Sequence, residues 1–542
     1  MQFYILVNEE QQGPFTVEQI KGYLAMGHYQ HTDLAWHEGL PEWKPLGEFP
    51  EFAPKAHRTP NYQSVPVRQV AQKKSGKGKA VLTGVLTVVI LGAVGGGGYY
   101  YWNTYMRKTA ATGGTTAAGA PAPAPAAENP GDPKTLEELN AWYAEPPAGQ
   151  NAATYFQQGF DALQITNADR NSSNLPLIGR AAMPPINYPV PLAVKNTLKG
   201  FLERNQPALD LFARGAQCSG SRYPLDLTKG ANLLLPHLAG IKQAAQLGAV
   251  NALFQAEAHK GAEAAQGVSV ALASARSLES EPLLISQLVR VAAEGVAEES
   301  LEQTLNRVAL TADSLTQLQS AFGHSANYEA DGTGFNRALA AERLTAASAF
   351  DLPADKLRET ISQASAATGA AAMPAAEVDK LLANLKDQKP FFTESINQFI
   401  IARKEPFPAR LKADDLVASR VEEAKSKQFV VAAALVPALA KATSKEAGGL
   451  ARLRLAQTAV ALEQFRAANT NHYPAALAEL SPKFLPAAPT DPFDGQPLRY
   501  RKAGEGFVIY SIGPDLKDDS GARKPGSDDL SFVVVRPPKA AQ

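Results

Sequence analysis

Eight histidines, one cysteine and a scatter of serines and carboxylates are the groups in this 542-residue chain suited to chemistry. They do not converge in the sequence. His28, His31 and His37 fall close together, and the i, i+3 spacing of the first two suits a metal, but a surface role is the simpler reading. Cys218-Ser219-Gly220-Ser221 has the residue types of a nucleophile turn, yet nothing nominates a partner base, so it reads as a loop. His237 and His259 lie in apolar, helical surroundings and read as packing residues. Glu299 and Glu302 read as a solvated helix face. A Gly-x-Ser-x-Gly elbow, a phosphate-cradling Gly-rich loop and a His-Glu-x-x-His pair are all missing. The expectation is a chain that binds and is not an enzyme, the alternative being an extracytoplasmic enzyme of unknown class.

The elements that would position such residues follow from composition and patterning. Lys plus Arg and Asp plus Glu each number 53, so there is no net basic charge to suggest nucleic acid as a partner. A single cysteine forms no internal disulfide. At 542 residues the chain exceeds one ordinary core, and three or four units are expected. Residues 80–102 carry no charge and end in Tyr99, Tyr100, Tyr101 and Trp102. About 20 apolar helical residues cross a bilayer, and aromatic residues favour its interface, so this run predicts a transmembrane helix. Arg68, Lys73, Lys74, Lys77 and Lys79 precede it, whereas only Arg107 and Lys108 closely follow. That asymmetry predicts a single pass through the inner (cytoplasmic) membrane, N-terminus cytoplasmic and C-terminal part extracytoplasmic. The lipid bilayer is then a partner. Gly92 and Gly96 have the spacing of a self-associating helix pair, although Gly95 to Gly98 more simply loosen the outer end.

The remaining organisation is read in segments. Residues 1–53 show a compact α+β pattern, and residues 54–79 are a basic linker. Residues 103–133 form an Ala-, Pro- and Gly-rich tether. Residues 134–440 are Ala- and Leu-rich with helical stripes such as Leu284, Leu288, Val291 and Ala292, predicting a large all-α domain of stacked hairpins. Residues 441–542 change to one helix followed by short β-like runs, predicting a small antiparallel sheet.

The first segment resembles the GYF domain in its short bacterial form. Gly13-Pro14-Phe15 is intact; Phe3 and Ile5 stand where the pattern has Trp and Tyr, Ile20 where it has Met, Tyr23 where it has Trp, and Gly27-His28-Tyr29 where it has Gly-Tyr-Phe. Trp36 and the closing Gly39-Leu40-Pro41-Glu42-Trp43 match the bacterial subtype. The resemblance implies binding of a proline-rich peptide, with a cytoplasmic protein as the partner. A polyproline II helix is already extended and docks on aromatic faces at small entropic cost. Phe3, Phe15, Tyr23, Tyr29, Trp36 and Trp43 are the candidate peptide-binding residues.

The tail resembles the globular end of type II secretion pseudopilins. The matching residues are the helix around Leu455 to Phe465, then Asn471-His472-Tyr473-Pro474, Asp491-Pro492-Phe493-Asp494-Gly495 and Tyr510-Ser511-Ile512-Gly513-Pro514-Asp515. The apolar run 429–440 is short for a membrane stem and contains Pro437. The resemblance implies a calcium site at Asp515 with Asp528 or Asp529, since calcium takes six to eight oxygens from such loops. It also implies an alternative role as an accessory of a secretion or pilus-like system.

Overall fold

Alternation in the first strand sets the N-terminal unit. Phe3 and Ile5 point to one side and are fully buried, while Tyr4 between them points to the other. The computed structural model describes residues 2–7, 10–17, 20, 34–38, 40, 43–52, 131–186, 188–359, 374, 376, 378–379, 385–439, 441–524 and 527–536. Strands β1 (Gln2–Val7), β2 (Glu10–Thr16), β3 (Leu34–His37) and β4 (Lys44–Pro45) form an antiparallel sheet in the order β2-β1-β3-β4. Phe3 is the hub of its core. Its ring meets His37, Phe49 and Phe52 edge-on at 5.0, 5.3 and 5.1 Å. Ile5, Ile20, Ala35 and Leu46 complete the buried set.

The second unit is a large helical body. Its earlier helices are α1 (Leu136–Trp142), α2 (Ala152–Ala162), α3 (Asn167–Asn171), α4 (Leu192–Gly215), α5 (His237–Glu257) and α6 (Gly261–Arg276). Then come α7 (Leu284–Leu305), α8 (Ala312–Asp331), α9 (Thr333–Thr345), α10 (Leu385–Ala402), α11 (Ala413–Ser426), α12 (Val430–Leu435) and α13 (Ala442–Ala468). Local chemistry starts and stops them. Thr166 and Asp169 close a reciprocal capping box on α3. Gly332, with φ of 70°, ends α8 in the left-handed region and opens α9.

Packing is tightest where side chains are smallest. A Cβ on Gly248 of α5 would lie 2.8 Å from the α6 backbone, and one on Gly267 of α6 would lie 2.7 Å from the nitrogen of Ala252. Only glycine permits this approach, so the two helices meet backbone to backbone. One core gathers Phe156, Phe201 and Phe212 of α2 and α4 against α5. Another gathers Phe335, Phe392 and Phe399 around α9 to α12. The apolar run that includes α12 belongs to this second core.

The chain ends in a three-stranded antiparallel sheet, β5 (Arg499–Ala503), β6 (Gly506–Ser511) and β7 (Leu530–Val534), with β6 central. Phe507, Ile509, Phe532 and Val534 share a core with α13 and with Leu301, Leu318 and Phe322 of α7 and α8. The outer edge of β7 is also covered. Val533 N–H donates to Glu302 Oε1 at 2.6 Å, its carbonyl accepts from Asn306 Nδ2 at 2.8 Å, and Val535 N–H donates to Asn306 Oδ1 at 2.7 Å. Glu302 of α7 and Asn306, which caps that helix, thus stand in for a neighbouring strand on an edge that would otherwise be open to pairing. Glu302, read from the sequence as solvated, is only 3% exposed for this reason.

The expected membrane architecture is corrected. Residues 80–102 and their flanks lie outside the described residues, and among the described residues no helix is long and apolar enough to cross a membrane. Arg290, Glu294, Glu298, Glu299 and Glu302 all fall within α7. The described fold is a small sheet unit, a large helical body and a C-terminal antiparallel sheet, and a single-pass inner-membrane placement is not supported.

Candidate functional site

The strand alternation that buries Phe3 and Ala35 turns their neighbours to the opposite face. Tyr4 of β1 and Trp36 of β3 are direct cross-strand partners there, with ring centroids 6.0 Å apart and tilted by 41°. The chain after β3 returns to place Trp43 beside Trp36, at 6.4 Å and again 41°. The Trp36 indole is held by donating its Nε1–H to the carbonyl of Leu40 at 2.8 Å. All three rings are half-buried, so each is supported from behind and open in front. A polyproline II helix rises about 3.1 Å per residue, so rings about 6 Å apart match proline side chains two residues apart.

The six sequence-derived candidates distribute unevenly. Trp36 and Trp43 lie in the row. Phe3 is fully buried at the centre of the core, where it presents no face to a ligand. Phe15 pairs with Phe3 across β1 and β2 and is half-buried against the same core. Tyr23 and Tyr29 lie outside the described residues, as do His28 and His31. Tyr4 was not among the candidates. Its signal was present in the alternation Phe3-Tyr4-Ile5, which puts the middle residue on the face away from the core.

The acidic loop of the tail does not assemble a calcium cage. Asp515 accepts from the Lys517 N–H at 3.1 Å and faces the Lys517 ammonium at 3.4 Å. Asp529 accepts from the Gly521 N–H at 2.8 Å, and the Asp528 carbonyl crowds Gly513. Burial raises the Asp529 carboxyl above its ordinary value, and the neighbouring Asp518 and Asp519 carboxylates add to the shift. Among the described residues no group of three or more His, Cys, Asp or Glu side chains is placed to hold a metal ion.

Two buried polar clusters in the helical body were hidden from the sequence. In the first, His237 Nε2 lies 3.0 Å from Glu281 Oε2, its ring stacks on Tyr223 at 4.3 Å, and Ser286 donates to the same carboxylate. Histidine, serine and glutamate are the types of a catalytic triad. Here, though, the carboxylate is the middle member, holding both other groups rather than leaving a base between acid and nucleophile. Tyr143 and Gln287 close it in, one donating to the carboxylate at 3.4 Å and the other to the Glu281 carbonyl at 2.8 Å. Cys218 is no better as a nucleophile, since burial raises its thiol.

Gln287 also leads to the second cluster, accepting from Arg290 Nε at 2.8 Å. Arg290 is fully buried, donates to Glu294 at 2.6 Å and pairs with Glu329 of α8. Further on, Arg403 and Arg410 converge on Glu446 of α13 at 2.6 and 3.3 Å. Burial raises the carboxyls of Glu294 and Glu329, which share one guanidinium. Each leaves one oxygen without a hydrogen-bond donor among the described residues. The cluster links α7, α8, the end of α10 and α13.

No curated protein and no solved structure matches the chain, so the pseudopilin resemblance of residues 441–542 finds no support there. Residues 3–52, which carry the aromatic row, match the family described as GYF domain 2.

Proposed function

We propose that this chain is a non-enzymatic interaction protein. Its N-terminal GYF domain docks a proline-rich segment of a protein partner across Tyr4, Trp36 and Trp43. The row of three braced, outward rings at about 6 Å spacing is the observation that carries this reading. Proline rings lie flat on such faces, and the ligand's extended backbone is already ordered before it binds. The helical body then serves as the scaffold to which the module is attached.

The test is calorimetric titration of the full chain with an uncharged proline-rich peptide. Trp36→Ala is expected to weaken binding by roughly 30-fold, the size of a central aromatic anchor, and Tyr4→Ala by a smaller factor. Circular dichroism of both variants should match the parent, because neither side chain belongs to the core. A peptide that binds parent and Trp36→Ala alike would overturn the reading.

A further inference from the structure

The two edges of the C-terminal sheet differ. Glu302 and Asn306 cover the outer edge of β7. Val533 turns its N–H and carbonyl to them, so its neighbours Phe532 and Val534 turn theirs to β6, opposite Ile509 and Phe507. Bonding direction alternates along a strand, so Val508 and Tyr510 face β5 and bond with Arg501 and Arg499. Tyr500 and Lys502 are left with their backbone N–H and carbonyl groups directed away from the sheet. Among the described residues no hydrogen bond reaches these four groups. β6 is buried at every position, so the open edge rests on a fixed base.

The open edge is also cationic. Arg501 and Lys502 are exposed, and neither forms an ion pair among the described residues. Arg499, by contrast, is engaged by Asp491 at 3.0 Å and by Asp494. The neighbouring carboxylates are not spent on the two free cations. Among the described residues Glu505, in the turn between β5 and β6, bonds to neither, and Glu479 accepts from the N–H groups of Ala475 and Ala476 at 2.7 and 3.0 Å. Lysine and arginine on an open edge keep like strands apart. An antiparallel pair of β5 strands would set cations against cations, which disfavours a second copy as the occupant. The same charges favour a strand that carries carboxylates.

We propose that the outer edge of β5 is a docking site for an extended acidic segment of a partner protein, which joins the sheet as a fourth strand. Tyr500 and Lys502 supply two N–H donors and two carbonyl acceptors to its backbone. Arg501 and Lys502 point to opposite faces, so each meets a carboxylate on its own side of the added strand. Five residues at about 3.4 Å each give roughly 17 Å of edge, enough for one short strand. The ligand differs from that of the aromatic row, because a proline-rich segment lacks the N–H groups that the edge needs.

The experiment uses the full chain and a capped, proline-free peptide of alternating glutamate and threonine, followed by calorimetry and amide hydrogen exchange. With the peptide near saturation, the amides of Tyr500 and Lys502 are expected to exchange about 10-fold more slowly. A full-length variant carrying Arg501→Glu and Lys502→Glu, both at exposed positions, is expected to bind about 10-fold more weakly with an unchanged circular dichroism spectrum. The gap should narrow as salt rises, because surface charges are screened over about 8 Å at physiological ionic strength. Equal affinity for parent and variant, or exchange at Tyr500 and Lys502 that the peptide does not slow, would overturn the proposal. So would undiminished binding of the same peptide N-methylated at every residue, which keeps the charge but removes the backbone donors. A parent that sediments as a dimer while the variant is monomeric would assign the edge to a second copy and overturn it too.

Discussion

At the scale of single residues, neighbours in one strand have opposite jobs. Phe3 and Tyr4 are adjacent aromatics, yet one is fully buried and the other half-open. Phe3→Ala would leave a cavity where three rings now meet and is expected to cost about 3–5 kcal/mol. A fifty-residue unit has little stability to spare, so the module should lose its fold. The expected result is loss of peptide binding together with rapid amide exchange in β1 and β3. Trp36→Ala, by contrast, should lose binding alone. A Phe3→Ala module that keeps slow exchange would show that the core lies elsewhere.

At the scale of elements, the C-terminal sheet is joined to α7 by backbone bonds made to side chains. Asn306 accepts from Val535 and donates to the carbonyl of Val533. Asn306→Ala removes both bonds and leaves two strand groups on the edge unmatched, at an expected cost of about 1–3 kcal/mol. Hydrogen exchange should accelerate first at Val535, whose N–H loses its acceptor, while β5 and β6, which pair with each other, change less. Uniform acceleration across all three strands would mean that the sheet depends on this contact as a whole. The same edge explains an error of reading. Glu302 has the spacing of a solvated helix face until β7 is laid against it.

At the scale of the whole molecule, the buried charges make stability depend on pH. Glu294 and Glu329 ionise in the unfolded chain near the ordinary value of 4.5, but burial raises both in the folded protein. The folded state therefore binds protons that the unfolded state releases. Their contribution is fully present below that ordinary value and is lost as pH climbs through the raised ones. The slope is on the order of 1 kcal/mol per pH unit for each proton retained. Glu294→Gln keeps an acceptor for Arg290 but has no proton to lose. Its thermal midpoint is expected to fall less than the parent's between pH 5 and about pH 8. Parallel profiles for the two proteins would sink this account of the cluster.

The sequence alone was enough for features whose information is local. The intact Gly13-Pro14-Phe15 and the spacing of Trp36 and Trp43 identified the N-terminal module, and apolar stripes such as Leu284 to Ala292 identified helices. Features that need two distant segments were illegible. Tyr4 joins a site only because β1 and β3 bring it beside Trp36, 32 positions away. Arg290, Glu329, Arg403 and Glu446 carry no local signal of burial, because each has a partner on another segment. An ion pair makes a buried charge tolerable, and pairing across helices leaves no trace in the local pattern of either one.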